Sequence, residues 1–150
     1  MSPDDTLSRL RWFLLAFSVL LFGGTVSELL LIEHAENLVQ LIPFALCGVG
    51  TLAALAALLR PRRVTMLALR ACMGLVMLGS LFGIYQHVSN NYAIKREVDP
   101  GAETRALLLS ALGGANPLLA PGMLAVAAVL ALAATYQNPS LRTGREAESV

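Results

Sequence analysis

The chain has 150 residues, of which 56% are hydrophobic and only 14% charged, with a mean hydropathy of +0.66. Soluble domains carry roughly a quarter charged residues, so this composition is too poor in charge to coat a water-facing surface and suits a chain solvated by lipid. The net charge of +1 argues against nucleic acid, which calls for a strongly basic face.

Four stretches are long and apolar enough to cross a bilayer, which takes about 20 mostly apolar residues. They cover residues 12–32, 38–59, 64–87 and 117–136. The first continues too far past any cleavage point to be a signal peptide. Arg60, Pro61, Arg62 and Arg63 stop the second, and Asn138-Pro139 stops the fourth. Lipid offers no partner to an unpaired backbone group, so the spans are expected to be helices. Between the third and fourth, Asp99 and Pro100 read as a helix cap and first residue. A short helix over residues 100–112 follows, ending at Gly113-Gly114. It is too short to span and is expected to lie at the interface. The expected fold is therefore all-α: one domain over residues 1–150, a four-helix transmembrane bundle with a short interfacial helix.

Orientation follows from the basic residues. Arg9, Arg11, Arg60, Arg62, Arg63, Arg70, Arg142 and Arg145 fall on one side, against Lys95, Arg96 and Arg105 on the other. The positive-inside rule then places both termini in the cytoplasm of a cell (inner) membrane. The lipid bilayer is the first partner, and assembly into a homo-oligomer or a larger membrane complex is expected.

The polar side chains gather on the outer side. Both histidines, His34 and His87, are there, with Glu28, Glu33, Glu36, Gln40, Asn90, Asn91, Glu97 and Asn116. In the third span Gly79, Gly83, His87 and Asn91 recur every four residues and form one stripe. Glycines at that spacing admit a neighbouring helix, so the stripe should face protein. In the second span Asn37, Gln40, Phe44, Cys47 and Thr51 form another inward stripe, and in the first Gly24 and Glu28 are four apart. A carboxylate one turn from a span's end is costly unless paired or hydrated. Gly23, Gly24, Gly48, Gly50 and Gly74 read as helix-packing contacts.

Three helices thus aim polar groups at one outward-opening pocket. Its candidate metal ligands are His34, Glu36 and His87, and Glu28, Glu33, Gln40, Asn91, Glu97 and Asn116 complete the polar set. Such a set suits a divalent transition metal, a proton relay or a small polar ligand, or else a network that caps helix ends. No HExxH, phosphate loop, nucleophile elbow or spaced cysteine motif is present, and no catalytic residue is assigned. The leading expectation is a non-enzymatic accessory or binding module. The alternatives are a haem- or metal-binding subunit of a membrane oxidoreductase, with His34 and His87 as ligands, and a proton-coupled small transporter using Glu28.

Three segments carry a family resemblance. They are Glu33-His34-Ala35-Glu36-Asn37 with Gln40 and Pro43, then Gly83 through His87 with Asn91, and Ala111 through Gly122, within which the start of the last helix reads Gly114-Ala115-Asn116-Pro117-Leu118-Leu119-Ala120-Pro121-Gly122. In these the chain resembles a group of small four-helix bacterial membrane proteins with a similar His-x-Glu turn, a His followed four residues later by Asn, and a Gly-Ala-x-Pro-x-Leu-Ala-Pro-Gly start to the last helix. The resemblance spans most of the chain. It implies the four-span topology and singles out His34, Glu36, Gln40, His87, Asn91 and the Pro121 region, and it implies no mechanism.

Overall fold

The computed structural model describes residues 3–32, 38–114 and 118–141. Among the described residues the chain is all-helical. Helix α1 covers Pro3–Leu31, α2 Ile42–Leu59 after a single tight turn at Val39–Leu41, α3 Arg63–Val98, α4 Thr104–Ala111 and α5 Leu119–Ala133.

Among the described residues three segments are long and apolar enough to cross a membrane: Asp4–Leu31, Val39–Leu59 and Arg63–Val98, whose best windows reach mean hydropathies of 2.0, 2.2 and 1.9. Only 28%, 28% and 22% of those windows is buried inside the molecule. Leu20, Leu30, Leu52, Leu75 and Leu78 instead point outward. Apolar surface on that scale is stable only against lipid or another apolar partner, so the protein is membrane-associated. The fourth expected span is the shortest. Helix α5 has 15 residues, about 22 Å at 1.5 Å per residue, and 134–137 continue as turns.

Helices α1, α2, α3 and α5 pack in a ring in that order, and α5 closes back on α1. Helix α4 stands outside the ring against α3. The hydrophobic effect does not drive helices together in lipid, so close approach must come from small residues and from van der Waals fit. Buried Ala120, Ala127, Ala128 and Ala131 flatten one side of α5. Phe22 of α1 is fully buried, and a side chain at Gly50 of α2 would run into its ring. Met66, Leu69, Met73 and Val76 fill the centre from α3.

The structure corrects three boundaries. Helix α3 does not stop at 87 but continues through Val98, because no glycine or proline interrupts 88–98. Asp99 does not cap the next helix. It ends α3, accepting the N–H of Ala102 at 3.3 Å, since the residue before a proline is pushed out of helical conformation. Helix α4 then begins at Thr104 rather than 100 and buries Leu107 and Ala111, leaving Leu109 and Leu112 exposed. The packing role expected for the seven span glycines also needs revision at four of them: Gly23, Gly24, Gly48 and Gly74 face open space.

One end of the ring collects the arginines. Arg11 of α1 donates to the carbonyls of Tyr136 (3.1 Å) and Gln137 (2.7 Å). Arg70 of α3 donates to the Thr135 hydroxyl at 2.9 Å and to the Thr135 carbonyl at 3.4 Å. Two guanidinium groups thereby serve carbonyls at the end of α5, where the helix dipole is negative. Gln137 turns the chain there with a left-handed φ of 47°. The Ser140 hydroxyl donates to the carbonyl of Pro61, which brings the α2–α3 connection, with Arg60, Arg62 and Arg63, to the same end.

Candidate functional site

The opposite end of the ring is hollow. The last turn of α1, the chain from Leu38 into α2, the middle of α3 and the first turns of α5 enclose a cavity of about 880 Å³. The local sequence accounts for the space. Gly79 and Gly83 remove two side chains from α3 where it meets α2 and α5, and Pro43, Ala120 and Pro121 present short ones. The same glycines set how close the walls come. A Cβ at Gly79 would strike Leu46, and one at Gly83 would meet the Pro121 ring at 3.2 Å. The Ser80 hydroxyl, fully buried, donates to the Pro121 carbonyl and ties α3 to α5 beside the cavity.

The cavity body is apolar: Leu29, Ile32, Ile42, Leu46, Phe82 and Leu124 line it. The polar groups are Glu28 from α1, Gln40 before α2, and Gln86, His87 and Asn90 from α3. His87 Nδ1 is buried. A mostly apolar hollow of several hundred cubic ångströms with a few convergent polar groups is the usual form of a small-molecule site.

Of the residues expected from the sequence, Glu28, Gln40, His87 and Asn90 come together at this cavity. Asn91 does not line it. Its side chain is buried on the next turn, where its Nδ2 donates to the Ala111 carbonyl at 2.9 Å and holds α4 against α3. Gly114 lies against that amide so closely that a Cβ would overlap it. Glu97 is exposed on the last turn of α3, away from the cavity lining. Glu33, His34, Glu36 and Asn116 lie outside the described residues. Among the described residues no group of three His, Cys, Asp or Glu side chains is placed to hold a metal ion. His87 is the one member of the expected ligand set that is described.

The stripe of Gly79, Gly83, His87 and Asn91 does face protein along its length, meeting Leu46, Pro121, the cavity and Ala111 in turn. Gln86, which sequence reasoning did not single out, joins the site because Gln86 and Asn90 are four apart and share a side of α3. The arginine clasp on α5 was likewise not anticipated beyond Arg70 reaching toward that side. Its partners are backbone carbonyls, which leave no mark in the sequence. No family model, no curated protein and no solved structure matches this chain.

Proposed function

We propose that this is a four-span membrane protein that binds a small amphipathic molecule in the outward-opening cavity, as a non-enzymatic binding or accessory module. The observation that carries the reading is the cavity: an apolar body with Glu28, Gln40, Gln86, His87 and Asn90 as its polar lining. A molecule with a chain or ring system and a hydrogen-bonding head matches both parts.

Four crossings are supported by the meeting of the chain's two ends. Arg11, early in α1, touches residues 136 and 137 after α5, so the ring begins and finishes at one face, as an even number of crossings requires. The arginines gathered there make that face cytoplasmic, in a cell membrane, by the positive-inside rule. The likeness to small four-helix bacterial membrane proteins points the same way. Helix α4, with Leu108, Leu109 and Leu112 exposed, then lies at the outer interface.

Two measurements test this. Cysteines introduced at Ser8 and Gly101, in a Cys47→Ala/Cys72→Ala background, are exposed to a membrane-impermeant maleimide in intact cells. Residue 101 should react and residue 8 should not, and the reverse result refutes the orientation. An uncharged, environment-sensitive fluorescent amphiphile should bind saturably to protein in lipid nanodiscs. Gln86→Trp, which fills the cavity, should weaken it by at least about tenfold, equivalent to 1.4 kcal/mol. Equal binding by both proteins sinks the cavity reading.

A further inference from the structure

Charge at the cavity is one-sided. Among the described residues Glu28 is the only Asp, Glu, Lys or Arg in its lining, and Glu28 makes no ion pair with any other described residue. It is half-buried, the turn before an apolar helix ends. A carboxylate so placed is stabilised by a cation and penalised by a second anion. Arg11 and Arg70 are held at the far end of the ring, on carbonyls and a hydroxyl at the end of α5, and the outer-side Lys95, Arg96 and Arg105 do not line the cavity.

Glu28 also belongs to a second hollow. A groove of about 750 Å³ runs along the outer side of α1 toward α5, lined by Leu20, Gly24, Leu119 and Met123 and ending at Glu28. Gly23 and Gly24 keep it open, since neither glycine has a neighbour within 4 Å of its Cβ direction. Glu28 is thus the residue shared by a groove facing the surroundings and the internal cavity.

Resting on the amphiphile reading above, we propose that the ligand is a single-chain amphiphile with a cationic head, a protonated amine or quaternary ammonium. It reaches the cavity sideways from the bilayer along the α1–α5 groove, with Glu28 as its counter-ion. The apolar wall takes the chain. Gln86 and Asn90 bring side-chain amides to the lining, whose carbonyl oxygens can accept from the N–H groups of an amine. Among the described residues no Lys or Arg lines the cavity to serve an anionic head.

The test uses protein in nanodiscs of zwitterionic phospholipid and three photoreactive dodecyl chains, alike except for a trimethylammonium, hydroxyl or sulfate head. Crosslinked peptides are mapped by mass spectrometry. The cationic chain should label 79–90 and 119–124 saturably at about tenfold lower concentration than the hydroxyl chain, the scale of one charge-assisted contact, and the sulfate chain least. Glu28→Gln should erase the difference between cation and hydroxyl while keeping hydroxyl labelling, which also shows that the variant is folded. Glu28→Asp should retain the preference. Equal labelling by all heads, or an unchanged preference in Glu28→Gln, overturns the counter-ion role. No saturable labelling by any chain overturns the amphiphile reading beneath it. Competition by dodecylamine but not by tetraphenylphosphonium supports a lipid-like single chain. Competition by the compact cation alone overturns that part of the proposal.

Discussion

Asn91 offers the sharpest structural test. Its amide is 1% exposed and its Nδ2 donates to the Ala111 carbonyl at 2.9 Å. Ala111 is itself fully buried, so Asn91→Ala leaves a carbonyl that water cannot reach with only the longer bond from the Gly114 N–H, at 3.4 Å. Losing the shorter of two bonds to a buried acceptor costs about 0.5–1.5 kcal/mol, which corresponds to about a 2- to 13-fold rise in local opening at 1.4 kcal/mol per tenfold. The loss should stay local because α4 packs on α3 and stands outside the ring. Hydrogen exchange read by mass spectrometry should show amides of 107–111 exchanging faster by that factor, with 124–131 in α5 unchanged. Asn91→Asp, which keeps the size but turns an oxygen toward the carbonyl, should do at least as much damage. Gly114→Ala should reproduce the effect, since its methyl would occupy the space of the amide. Unchanged exchange at 107–111 in Asn91→Ala, or equal loss of protection across all helices, refutes the reasoning.

Two more outcomes follow from packing and capping. Gly50→Ala should lower stability by about 1–3 kcal/mol, as overpacking does, because its methyl meets the Phe22 ring. Gly48→Ala, which meets nothing, should be neutral or stabilise by up to about 1 kcal/mol through helix propensity; thermal unfolding in detergent compares the two. Arg11→Ala and Arg70→Ala should each loosen the end of α5 by about 1 kcal/mol, the ordinary net worth of a hydrogen bond, read as faster exchange at amides 133–138 with the far end of the helix unaffected.

Much of the architecture was legible because lipid-facing helices need only length and apolarity, and three of the four expected spans meet both criteria. The glycine stripe on α3 was legible for a related reason: in lipid, small residues carry helix contacts, and a repeat of four puts them in line. What the apolarity pattern hid was the end of α3. Hydropathy falls after His87, but a helix needs no apolar residues once α4 covers part of its polar extension, and only the Asp99-Pro100 step breaks it. The lipid-facing glycines misled for the opposite reason. Nothing in a local sequence distinguishes a glycine that admits a partner helix from one that borders an open groove. At the site, Glu28, Gln40 and His87 were found by their depth along the helices, whereas Asn91 shared the stripe yet turned out to hold the outer helix.

The ring order has a bearing on when the site comes into being. Helix α5 is the last wall made by the ribosome, and it is the one that touches both α1 and α3. Before it arrives, α1, α2 and α3 can already stand side by side as an open clamp. Gly83 then has no Pro121 beside it and Ser80 no carbonyl to bind, and Arg11 and Arg70 lack the carbonyls they clasp. The cavity lacks its Ala120 and Leu124 side. On the proposed binding reading, completion of the fold and competence to bind are one event, so a ligand that favours the closed cavity should also act as a chaperone for the final helix.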